Sequence, residues 1–191
     1  MRTSALALVA AAALAAGAAQ AQSATYAIDP THTFVTFEIG HFGTSTNRGR
    51  FDKKEGTVQF DKTGKTAKVD LTIDVASIST GTAAFDKHLQ SADFFDTAKF
   101  PTAKFTADKF VFNGDKVSEV TGMLTLMGKT NPVVLKASLF NCYQNPMLKR
   151  EVCGGDFETT IDRTAYGMNY GIQWGFPKDV RLVVQVEAVK Q

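Results

Sequence analysis

Strict alternation of apolar and polar residues is what most constrains this chain. In KVDLTIDVAS, residues 68–77, Val69, Leu71, Ile73 and Val75 fall on one face and Lys68, Asp70, Thr72 and Asp74 on the other. A period of two marks a strand with one side in a core and the other in water, as in antiparallel sheets. VRLVVQVEAV at 180–189 repeats it through Val180, Leu182, Val184, Val186 and Ala188. TFVTFEIGH at 33–41 puts Val35, Phe37, Ile39 and His41 on one face, and VTGMLTLMG at 120–128 does the same with Val120, Gly122, Leu124 and Leu126. NPVVLKASLF sets Val133, Leu135, Ala137 and Leu139 opposite Val134, Lys136, Ser138 and Phe140. DFETTID sets Phe157, Thr159 and Ile161 opposite Asp156, Glu158, Thr160 and Asp162.

Short turn signals separate these runs. DKTGKT at 61–66 and FNGDK at 112–116 carry Gly close to Asn or Asp, as tight hairpins require, and Pro132 fits the first residue of a strand. Strands are expected near 25–29, 33–41, 50–60, 67–76, 103–112, 117–127, 132–141, 154–162 and 180–189. Eight or nine strands on hairpin-length links predict an all-β fold, one closed or nearly closed antiparallel barrel. Alternation stops between Thr82 and Asp96, where Phe85, Leu89 and Ala92 or Phe95 recur at helical spacing. That stretch reads as one short helix between strands, with Thr82 as its cap.

The first residues belong to a different class. MRTSALALVAAAALAAGAAQAQ has Arg2, an Ala-rich apolar run and an A-x-A site at Ala19-Gln20-Ala21. This is the pattern of a cleaved export signal over 1–21, leaving one domain over 22–191. The charges are balanced, 21 basic against 19 acidic, and interspersed, unlike the basic footprint of a nucleic-acid binder. No second apolar run is long enough to cross a bilayer, so no stable membrane insertion is expected. Cys142 and Cys153, in an exported chain with no nearby His, read as a disulfide across a hairpin rather than a metal pair.

Candidate chemistry is sparse. His32, His41 and His88 show no metal-ligand spacing, and no nucleophile elbow or phosphate-cradling glycine loop occurs. No metal and no required cofactor are expected. His41 falls on an apolar face, either as a satisfied core residue or as a polar donor at one end of a pocket. In a helix His88 is not met by Asp86, two residues away, or Asp93, five away, and Asp86, Asp93 and Asp96 read as solvated or capping. The chain has 15 Phe, all beyond the leader. With Met123, Met127, Met147 and Met168 beside them, they suit either a solid core or a wall around a flexible apolar ligand, and composition leaves both open.

YAIDPTHTFVTFEIGHFG, GRFDKKEGTVQFD, DKHLQSADFFDTAKFP, VTGMLTLMGKTNPVVL, FETTIDRTAYGM and VRLVVQVEAV, in this order, resemble the YceI-like family. The resemblance implies a lipocalin-like eight-stranded antiparallel barrel, closed at one end by the helix. It also implies a periplasmic binding protein, not an enzyme, whose partner is a long isoprenoid such as a polyprenyl phosphate or a ubiquinone-type quinone. Inward positions then become candidate lipid contacts: Phe37, Ile39, His41 and Phe51 early in the chain, then Leu71, Ile73 and Val75. Leu89, Phe94 and Phe95 would come from the lid, and Phe105, Leu124, Leu126 and Leu135 from the following strands. Phe157, Ile161, Met168, Trp174, Leu182 and Val184 complete the set. Phe85 and Gln90 stand where the family pattern often has Arg, which favours an uncharged head group. Arg48, Arg50, Arg163 and Lys87 remain as candidate charges at the mouth. A homodimer is compatible with all of this. The competing reading is an enzyme acting on a small apolar substrate inside the barrel, with His41 or His88 as general base.

Overall fold

The computed structural model describes residues 23–191, so the expected leader at 1–21 lies outside the described residues. The strands are β1 (Ala24–Ile28), β2 (Phe34–His41), β3 (Ser45–Phe51), β4 (Lys54–Asp61), β5 (Thr66–Asp74) and β6 (Ile78–Ser79). After helix α1 (Ala83–Gln90) come β7 (Thr102–Asn113), β8 (Lys116–Leu126), β9 (Lys129–Asn145), β10 (Arg150–Asp162) and β11 (Asp179–Lys190). All pairings are antiparallel, and β1-β4-β5-β7-β8-β9-β10-β11 closes on itself through β1–β11. This is the closed antiparallel barrel expected from alternation, with the eight strands that the resemblance implied.

One edge of β11 serves two strands. Its Ala188–Lys190 pair with β1 and its Arg181–Gln185 with β2. The break between them is held by fully buried Thr33, whose Oγ1 lies 3.2 Å from both the N–H and the carbonyl oxygen of Glu187. The hydroxyl thus accepts from the Glu187 N–H that the interrupted ladder leaves without a strand partner, and donates to the Glu187 carbonyl, which also accepts from Asp29 N–H at 2.9 Å. Beyond β2 the wall runs to β3 and stops at β6, so this end of the barrel is covered by α1 and the loop to Phe100 instead of a strand.

Several boundaries differ from expectation. The single strand expected over 50–60 is two, because at Asp52 and Lys53 the backbone N–H groups turn to the carbonyl and hydroxyl of Ser77. Pro132 lies inside β9, opposite Met123. β10 pairs with β9 only from Lys136 onward, so the missing N–H falls where one edge is free. The helix ends at Gln90, not Asp96: Ser91 takes the His88 carbonyl with its own N–H and hydroxyl, and the chain reverses through Asp96 at φ +44°. Thr82 is the N-cap residue, but its side chain makes no capping bond; Asp86 instead accepts from Thr80 N–H and Oγ.

Three bulges interrupt the ladders: Ser118 of β8 is skipped between Val111–Glu119 and Phe112–Val117, and two others reset the alternation of β7 and β9. In β7, Asp108 is skipped between the pairs Ala107–Gly122 and Lys109–Thr121. In β9, Ser138 is skipped between Ala137–Phe157 and Leu139–Asp156. An extra residue exchanges inner and outer faces beyond it. Leu139, expected inside, is therefore 55% exposed, and Phe140 points inward. Phe110 and Phe112 turn inward for the same reason. At the first bulge Gly122 is required, since a Cβ there would lie 2.5 Å from the Thr106 carbonyl oxygen.

Candidate functional site

The barrel interior holds two cavities in line. The lower one, about 140 Å³, is lined almost wholly by apolar side chains of the strands, among them Leu71, Phe105, Leu135, Phe157 and Val184. The upper one, about 370 Å³, lies under the lid and takes in Phe37, Ile39, His41, Phe51, Leu126, Ile161 and Met168. Val35, Ile73, Leu124 and Leu182 line both, so the two cavities adjoin end to end at these four side chains. An eight-stranded barrel has room for either a filled core or one slim ligand.

The lid contributes Phe85, Leu89, Phe94 and Phe95 to the upper cavity. Phe95 meets the Phe51 ring edge to face at 5.7 Å, and Phe94 packs at 4.9 Å from Tyr170. Tyr170 in turn meets Trp174 at 5.3 Å. Trp174 and Phe42 are each 55% exposed on the rim, and Phe42 meets Phe176 edge-on at 4.6 Å. The mouth is therefore an aromatic ring with one face wet.

Apart from Tyr26 in the lower cavity, whose hydroxyl is taken by Glu151, the polar side chains gather at this end. His41, Asn47, His88, Arg163 and Tyr170 line the upper cavity. His88 Nε2 lies 3.2 Å from Asp93 Oδ2, a contact that a continuous helix would forbid and that the turn after Gln90 allows. His41 is held between the rings of Phe42 and Phe176, at 5.0 and 5.3 Å. Arg163, 3% exposed, donates from Nε to the Pro177 carbonyl at 2.9 Å and from Nη1 to the Met168 carbonyl at 3.0 Å. Burial lowers its pKa from the ordinary value, against the pull of the neighbouring Asp162 charge, and a guanidinium still stays charged near neutrality. Asp162 fixes the segment carrying these groups: it accepts from Thr164 N–H and Oγ at one end and from Lys178 at the other.

Other expected contacts fall elsewhere. Val75 is buried, but in a short 3-10 turn, and lines neither cavity. Met123 and Met147 face outward, the latter 90% exposed. Arg48 pairs with Glu38 and Arg50 with Asp52; these and Lys87 lie outside the cavity lining, and Arg163 alone of the candidate charges is in it. Gln90 donates to the Ala76 carbonyl at 3.0 Å and ties the helix to the wall. Phe110, Phe140, Tyr170 and Phe176 escaped sequence reasoning, the first two because of the bulges and the others because 163–178 has no period. Cys142 and Cys153 are directly opposite on β9 and β10 and bonded, with Cα atoms 4.1 Å apart. Among the described residues, no group of three or more His, Cys, Asp or Glu could hold a metal ion, and no helix is long and apolar enough to cross a membrane.

A family model described as YceI-like domain matches residues 26–188. Protein YceI of Escherichia coli O157:H7 is 38% identical over 172 residues, 88% of each chain. The crystal structure of BcnA from Burkholderia cenocepacia superposes with a TM-score of 0.70 at 24% identity, covering 84% of this chain and 98% of that one. A polyisoprenoid binding domain from Saccharophagus degradans superposes with a TM-score of 0.61 at 16% identity, covering 89% of this chain and all of its own.

Proposed function

The chain belongs to the YceI-like family, and on that premise we propose that it binds and carries a long isoprenoid lipid, with an uncharged head such as a quinone, in the periplasm. The observation that carries this reading is the shared lining. Val35, Ile73, Leu124 and Leu182 border both cavities, giving an apolar path whose unsequestered polar groups are at its mouth, the Tyr26 hydroxyl at the far end being taken by Glu151. A prenyl chain has that shape and polarity, and burying it gains roughly 25 cal/mol per Å² of apolar surface. The Saccharophagus degradans domain, described as polyisoprenoid binding, has the same fold.

The head group follows from the rim. Phe85 is in the cavity lining where the family pattern often has Arg, and Arg163 has two of its donors already engaged by carbonyls. One partly committed cation suits the carbonyl oxygens of a quinone better than a diphosphate, which calls for several cations or a metal. Export through the 1–21 leader accounts for the disulfide, which persists in an oxidising compartment. We read the protein as a binder rather than an enzyme. Among the described residues, His88 with Asp93 is a base-like pair at the cavity and His41 lines it too, and turnover lost in His41→Ala or His88→Ala would favour the competing reading.

Solvent extraction of the protein purified from its producing cells, followed by mass spectrometry, should release a prenyl lipid. Stripped protein titrated with ubiquinone should lose fluorescence from Trp174, the sole tryptophan and part of the rim. An empty protein that also gives no quenching would sink the proposal. Release by osmotic shock, with an N-terminus at Gln22, tests the compartment.

A further inference from the structure

We infer that an aromatic floor built by the bulges at Asp108 and Ser138 fixes how long a prenyl chain this barrel accepts, an inference that rests on the carrier reading above. Phe60 is its centre. Its ring lies 6.2 Å from Tyr26, stacks on Phe112 at 6.1 Å and 10°, and meets Phe140 edge-on at 6.0 Å. Tyr26, Phe60, Phe110 and Phe140 line the lower cavity, whereas Phe112 packs behind Phe60 and is outside the lining. The path therefore ends on a second layer of rings.

This end is fastened in ways the mouth is not. Tyr26 is 2% exposed, and its hydroxyl donates to Glu151, whose other carboxylate oxygen accepts from Lys62. Three strands are thereby tied at the level of the floor: β1 through Tyr26, β4 through Lys62 just past its end, and β10 through Glu151. The Cys142–Cys153 bridge adds a fourth, β9, with Cys153 facing the cavity. Phe110 and Phe140 reach this level only because Asp108 and Ser138 are extra residues. A terminal prenyl group arriving from the mouth meets side chains carried on paired strands, not a loop that can swing aside.

The depth follows from β8, which touches the mouth cavity at Leu126 and the floor region at Val117, nine residues away. At about 3.4 Å per residue and a barrel tilt of 35–45°, that is about 23 Å of path. Chain beyond that length must stay outside, where each further unit gains nothing from burial.

The test is competition. Stripped full-length protein is offered an equimolar mixture of geraniol, farnesol, geranylgeraniol and solanesol, and the retained prenols are extracted and quantified by mass spectrometry. Phe60→Ala deepens the path and should shift the retained ratio toward longer prenols by at least about fourfold, the factor for burying one more methylene. Val120→Phe, from a lower-cavity position, raises the floor and should shift it as far toward shorter ones. Opposite shifts cannot come from general loosening, and Val120→Phe carries the test if Phe60→Ala does not fold. A parent that retains prenols, with a folded variant showing the parental ratio, overturns the floor. A parent that retains no prenol at all overturns the carrier reading itself.

Discussion

At the mouth, a cavity of about 370 Å³ is covered by an eight-residue helix and the loop after it, whereas the lower cavity of about 140 Å³ ends on rings carried by strands. The contrast is one of support. Phe60 is paired on both sides, with Ala24 of β1 and Ala67 of β5, while Phe110 and Phe140 are each carried on a strand paired on one side at their level, with Val120 and Gly155. Phe94 and Phe95 sit on turns anchored by a few backbone bonds, such as Phe95 N–H to the Leu89 carbonyl at 3.0 Å. Segments with few buried contacts open at lower cost than ladders do. The same barrel thus has one end suited to exchange and one suited to hold.

Substitutions should separate the two ends. Phe105→Ala, in the lower cavity, is expected to cost about 3 kcal/mol in a denaturant titration, the low end for such a change because one side of the ring already faces space. Phe94→Ala, in the lid, should cost well under half of that and instead speed ligand exchange. Equal losses at the two positions would break the comparison. Replacing both Cys142 and Cys153 by Ser is the next largest effect, about 2–3 kcal/mol for a loop this short, with ligand binding largely kept. Free thiols found in the native protein before reduction would contradict the bond.

Leu124→Trp, at the junction of the cavities, sharpens the comparison further. A filled core would lose roughly 1–3 kcal/mol to overpacking. An open path should accept the ring at lower cost and lose its lipid. Normal lipid content in this variant would refute a continuous path.

How legible these ends were in the sequence differs for the same physical reason. Wall positions such as Ile39, Leu71, Leu124 and Val184 follow from a period of two, because a strand offers each side chain only two faces. The floor was not legible, since a bulge is one inserted residue and Asp108 and Ser138 carry no mark of it; Leu139 and Phe140 were consequently assigned to the wrong faces. The mouth was half legible. Phe94 and Phe95 stood out as apolar residues in a polar stretch, but the His88–Asp93 contact needed a helix that stops at Gln90. Arg163 was visible only as a charge; its burial against the Pro177 and Met168 carbonyls depends on a segment with no repeating pattern.

The smallest expected effect is confined to the mouth and to acid. Hydrogen bonds from Lys178 first, and then from the side chain and backbone of Thr164, hold the Asp162 carboxyl down to about 2 from an ordinary 3.8. A carboxylate with a depressed folded pKa contributes stability that is complete above its unfolded pKa and is lost as pH falls through the folded one. The window is therefore from about pH 4 down to about pH 2. Asp162 is only partly buried, so the change should be local: it clamps Thr164 and Lys178, the two ends of the segment that carries Tyr170 and Trp174. Trp174 fluorescence should shift across this window while the far-ultraviolet circular dichroism of the barrel holds. In Asp162→Asn, which cannot titrate and pairs less strongly with Lys178, that step should disappear and the tryptophan should already look loosened near neutrality. A tryptophan signal that moves only together with the barrel would mean that the mouth and the floor unfold as one unit.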